Sequence, residues 1–126
     1  MRLSLRFTTV ILIAALVLLV APLAARAQDP VKVAPDRFKV LLENDQVRVM
    51  EYTAKAGQKL AMHSHPDHVI YNISGGKTRF SGSDGKAQEM ESQAGQATWV
   101  AATTHSAEHL TDAHAILVEL KKPTKK

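Results

Sequence analysis

The chain has 126 residues, with 16 Lys and Arg against 12 Asp and Glu and no cysteine. That length supports one small domain. The missing cysteine excludes thiol catalysis, thioether haem attachment, thiolate zinc sites and disulfide staples. The net charge of +4 comes largely from the two ends, so it does not mark a nucleic-acid surface.

Arg2 and Arg6 precede an apolar run from Val10 to Ala21, which Pro22 breaks. Ala25-Arg26-Ala27 then fits the small-x-small pattern of signal-peptidase cleavage before Gln28. Residues 1–27 therefore read as a secretory signal, and the protein is expected to be exported. That means the periplasm in a Gram-negative host and secretion otherwise, with no membrane contact after cleavage. The uncharged stretch from Phe7 to Ala25 approaches the length of a bilayer span, so a retained anchor is the alternative. Cleavage would remove three arginines and no acid, leaving 13 basic and 12 acidic residues, a net charge of +1.

Residues 28–36, with two prolines, read as an extended leader. From Arg37 to Lys121 the chain is a succession of short alternating runs between turn residues. The first runs cover Phe38 to Leu42, Val47 to Tyr52 and Lys59 to His65, separated by Asn44-Asp45 and Gly57. Pro66-Asp67 turns the chain into Val69 to Ile73, and Ser74-Gly75-Gly76 closes that run. Thr78 and Phe80 alternate with charged and polar neighbours before Gly82-Ser-Asp-Gly85. Lys86 to Gln93 has helix-favouring composition, but eight residues between glycine-marked turns read as a hairpin strand. Ala97 to Val100, Thr104 to Leu110 and His114 to Leu120 complete the series, the last with Ile116, Val118 and Leu120 in step. Residues 122–126 are a solvated basic tail. The pattern predicts an all-β sandwich or barrel.

Three histidines fall within six positions: His63, His65 and His68. Residues i and i+2 of a strand share a face, so His63 and His65 can aim two nitrogens at one point. His105 supplies a third donor from the second cluster, Thr104-His-Ser-Ala-Glu-His109. Imidazole is the commonest metal ligand at neutral pH, so the pattern points to chelation.

With Gly57, five residues, then His63-x-His65, and later Gly75, Gly95 and His105, the chain resembles the cupin superfamily over about residues 38–120. The resemblance implies a small double-stranded β-helix (jelly-roll) barrel. It implies one divalent transition metal held by His63, His65 and His105. The family places a glutamate ligand after the second histidine. Spacing from His65 selects Val69 or Ile70 for that position, whereas counting back from Tyr71 and Gly75 selects His68. The fourth ligand is therefore either absent or His68. In the second motif, Ala101-Ala102-Thr103 replaces Pro-x-Gly, and His109 stands where asparagine is usual.

His109 shares a strand face with His105 and is a further candidate ligand or donor to one. His114 reads as structural. Asp67 reads as a turn cap, and alternation points Glu108 away from His105. Trp99 and Tyr71 are expected in the core, with Met50, Met62 and Phe80 lining the barrel. No nucleophile elbow, phosphate loop or stacked basic–aromatic surface is present, so no nucleic-acid partner is expected. Neutral nitrogen ligands favour Zn, Fe, Ni or Cu over Mg or Ca. Two readings follow: a metal-dependent oxygenase or isomerase acting on a small organic molecule, or a non-catalytic binding or sensing barrel with a structural metal or none. The catalytic residues are not specified by the sequence. The cupin resemblance also implies a possible homodimer.

Overall fold

A computed structural model describes residues 28–122; the expected signal segment and the last tail residues lie outside that range. Nine strands follow one turn of helix, α1 (Pro30–Val33): β1 (Phe38–Glu43), β2 (Val47–Ala54), β3 (Lys59–His65), β4 (His68–Asn72), β5 (Gly76–Gly82), β6 (Ala87–Ser92), β7 (Ala97–Val100), β8 (Thr103–His109) and β9 (Ala113–Leu120). Every run expected as a strand is one, including β6. The leader is not simply extended as its prolines suggest. Asp29 caps α1 by accepting from the Val31 amide at 2.9 Å, and Pro30 takes the first helical turn.

The strands form two antiparallel sheets, ordered β1-β2-β9-β4-β7 and β3-β8-β5-β6. Their facing sides enclose a core of Phe38, Met50, Tyr52, Ala54, Ala115 and Leu117 on one sheet and Leu60 and Ala107 on the other. Ala34 joins this core from the segment after α1. Gly57 and Gly95 make the turns before β3 and β7 with φ of 82° and 80°, a backbone state that side chains with a Cβ rarely adopt.

Two details of register decide which side chains enter the barrel. In β3, Leu60 pairs with Ala107 and His63 with His105, so one extra residue is accommodated between them. This bulge lets Leu60 and His63 both face inward and leaves Met62 37% exposed rather than lining the barrel. In β9 the inward residues are Ala115, Leu117 and Glu119, while Ile116, Val118 and Leu120 face out.

The expectation that Trp99 and Tyr71 pack in the core fails for the same reason. Both lie on the outer face of the five-stranded sheet, 57% and 48% exposed. Register aligns Leu42, Val49, Val118, Val69 and Trp99 in one row across its five strands. The outer face of the other sheet is of opposite character: Lys59, Glu108, Arg79 and Glu89 form a ladder of ion pairs at 4.0, 3.3 and 2.7 Å.

Candidate metal centre and its cavity

The inner ends of β3, β4 and β8 bring four of the sequence-derived candidates together. His63, His65 and His105 each offer a ring nitrogen, and these nitrogens lie within 4.8 Å of one another. His68 sits beside them, its ring centre 4.8 Å from that of His65. His68 is a neighbour of the three but not one of the residues whose ring nitrogens converge. His109 stands apart, four residues further along β8.

The hydrogen bonds fix the tautomers. His63 Nδ1 lies 2.7 Å from the Ala61 carbonyl, which the β3 bulge presents, and His68 Nδ1 lies 2.8 Å from the Pro66 carbonyl. A carbonyl only accepts, so both Nδ1 atoms carry the hydrogen and donate, leaving each Nε2 with its lone pair free. His65 Nδ1 donates to Glu119 Oε1 at 2.7 Å, with the same result. Such outer partners orient a metal-binding imidazole and raise its basicity. The His105 ring has no hydrogen bond among the described residues and stacks on Phe80, ring centres 4.9 Å apart.

Glu119 was not among the residues singled out from sequence. It is 2% exposed, and its second oxygen accepts from Arg48 Nε and Nη2 at 2.8 and 2.6 Å. Arg48 Nη1 in turn donates to Asp29 Oδ2 at 2.7 Å. Burial works against the charge of Glu119, but the bonds from His65 and Arg48 outweigh it and hold the carboxyl below its usual range. Asp67 ties the β7–β8 loop to the site by accepting from the Ala102 amide at 2.7 Å, a longer reach than a local turn cap. Glu108 faces away and pairs with Arg79, as alternation requires. His114 pairs with Glu51 on the outer surface, a structural role.

The cluster forms part of the wall of a cavity of about 460 Å³ between the sheets, whose lining includes Ile70, Phe80, Leu117, Thr98 and Met90. Three ring nitrogens that converge within 4.8 Å fit a borderline divalent cation, and they could hold one ion here.

No protein-family model matches the chain, and no curated protein does. Among solved structures it is similar to a cupin domain from Bordetella pertussis Tohama I, at 19% identity and a TM-score of 0.61, covering 68% of this chain and 92% of that one. It is also similar to a cupin superfamily protein from Desulfitobacterium hafniense DCB-2, at 14% and 0.53, covering 68% and 76%. A conserved protein of unknown function from Streptococcus pyogenes matches at 19% and 0.52, covering 79% and 90%. The chain therefore has the double-stranded β-helix fold of the cupins, with a histidine cluster at the position of a possible metal site.

Burial disfavours the protonated form of three histidines here. It lowers the pKa of His63 and His68, and it lowers that of His105 to about 3, with the neighbouring histidines adding to the effect. Unfolded histidines take up protons near pH 6.5, so the unfolded state binds more protons as the pH falls and stability is lost below that value. The metal-free protein is expected to lose on the order of 5 °C or more in Tm between about pH 7 and 5. Scanning calorimetry across that range checks it, and a flat profile would refute the buried-neutral assignment.

Proposed function

We propose that this is an exported cupin holding one divalent transition metal on His63, His65 and His105, with His68 as a further ligand or an acid–base group. In this reading it acts as an oxygenase or isomerase on a small organic molecule. The observation that carries the reading is the convergence of ring nitrogens from His63, His65 and His105, the first two with their Nδ1–H groups anchored elsewhere, beside a cavity large enough for a ligand. A bound metal would supply Lewis acidity or oxygen binding at that wall. The chain's own residues fix imidazole orientation through Ala61, Pro66 and Glu119, and Phe80, Ile70 and Leu117 make part of the adjoining cavity wall apolar.

A non-catalytic binding barrel is the second reading. One feature favours it: His109 and Tyr52, which also line the cavity, are hydrogen-bonded to each other rather than free as acid or base. The metal itself is tested first. Elemental analysis of purified protein should give roughly one Zn, Fe, Ni or Cu per chain, abolished in a His63→Ala, His65→Ala double variant. Glu119→Gln should weaken binding by roughly 10–100-fold while leaving the ligands in place. Metal content unchanged in the double variant would remove the proposal.

Export rests on the Arg2–Ala27 pattern. Intact-mass analysis of protein from its native compartment should place the N-terminus at Gln28; a retained Met1 would favour the anchor.

For the partner, we propose a second copy of this chain against the outer face of the five-stranded sheet. The aligned apolar row spans roughly 20 Å across five strands. That width suits a standard interface of about 800 Å² per partner, and the row carries no charge to repel its own copy. The ion-pair ladder on the opposite sheet has no such need of cover. Analytical ultracentrifugation should show a dimer that Trp99→Lys with Tyr71→Glu converts to monomer. A monomeric parent protein at high micromolar concentration contradicts it.

A further inference from the structure

At the end of the cavity away from the histidine cluster, three polar side chains are joined in a line. His109 Nε2 meets the Tyr52 hydroxyl at 2.5 Å, and His109 Nδ1 meets Thr78 Oγ1 at 3.1 Å. Tyr52 and His109 are 7% and 4% exposed, and all three residues line the cavity. His109 lies four positions along β8 from His105, so the two polar ends stand roughly 13 Å apart along the strand. Leu60, Ala107, Ile70, Leu117 and Phe80 contribute an apolar wall to the same cavity.

The hydrogens on this line do not balance. Two hydroxyls and one neutral imidazole bring three hydrogens, and the two internal bonds use two of them. The imidazole is neutral because burial, and then the charge of Arg37, lowers its pKa. In one arrangement the spare hydrogen is on Thr78; in the other it is on Tyr52. A phenol is the stronger donor, and an aliphatic hydroxyl is the better acceptor. Tyr52 therefore donates to Nε2, Nδ1 donates to Thr78, and the Thr78 O–H is left without an acceptor. Among the described residues Thr78 Oγ1 has no other hydrogen-bond partner. Thr78 is half-buried and lines the cavity, so its spare O–H is met there either by water or by a ligand.

We propose that the Thr78 hydroxyl grips the far end of the cavity's ligand, and that this ligand is an elongated, apolar-bodied carbonyl compound. Its near end carries the oxygen that meets the histidine cluster; that part of the proposal alone rests on the metal reading. Its far end presents a neutral carbonyl oxygen. One uncharged donor matches a carbonyl, whereas a carboxylate buried there would lack compensation. Arg37 influences Tyr52 and His109 but is not part of the cavity wall.

The test is calorimetric titration of the zinc-loaded protein with two probes of equal length, 9-oxodecanoate and decanoate. The keto acid should bind about tenfold tighter, the effect of one well-placed hydrogen bond. Thr78→Val should bring the ratio close to unity and Thr78→Ser should retain it. The ratio is insensitive to a general loss of stability, which would weaken both probes alike. Equal affinities in the parent protein, with water serving the hydroxyl, overturn the proposal, as does failure of both probes to bind. Metal content is measured in parallel. A chain that holds no zinc yet keeps a Thr78-dependent preference supports this inference while removing the metal site.

Discussion

A carbonyl oxygen has no hydrogen to give, and that constraint organises the histidine cluster. Ala61 and Pro66 each place a carbonyl within 2.8 Å of an Nδ1 atom, and Glu119 does the same for His65 with a carboxylate. Each ring is thereby locked as the tautomer that leaves Nε2 unprotonated. At His63 and His68 burial also disfavours the protonated ring. The β3 bulge serves the same end, because without its extra residue His63 could not face inward together with Leu60.

The strands and the histidines that converge were legible in the sequence because they rest on short-range signals. Turn residues divide the chain at the right places, and His63-x-His65 has the period of a strand. What failed depends on which face of a strand is inside. In β9 the regular apolar series Ile116, Val118, Leu120 faces out, and the mixed series Ala115, Leu117, Glu119 faces in. Alternation gives a period of two but not its phase when both faces are largely apolar. The same ambiguity put Trp99 and Tyr71 in the expected core. It also hid Glu119, whose only sequence signal is a charge at the parity of Ala115 and Leu117. Met62 was misassigned for a different reason: the bulge shifts the phase within a single strand, and no local pattern announces it.

The apolar outer face and the hidden Glu119 thus have one origin. A sheet of five strands that is apolar on both sides offers two candidate interiors, and the barrel takes the side that can satisfy buried polar groups. On the chosen side Arg48 and His65 between them engage both oxygens of Glu119. On the other side no such partners are required, and side chains such as Trp99 are left for solvent or a second surface.

Assembly of the centre needs nearly the whole domain. Its histidines come from β3, β4 and β8, Glu119 from β9, Arg48 from β2, and Asp29 from the segment leading into α1. The His65–Glu119 and Arg48–Glu119 bonds close separations of 54 and 71 residues. No short piece of the chain can present the donors in this arrangement, so the unfolded state offers only scattered, protonatable histidines. An ion that binds the native cluster must therefore favour the folded chain in proportion to its differential affinity. In a domain without disulfides, such an ion would add stability that the amino-acid composition alone does not supply.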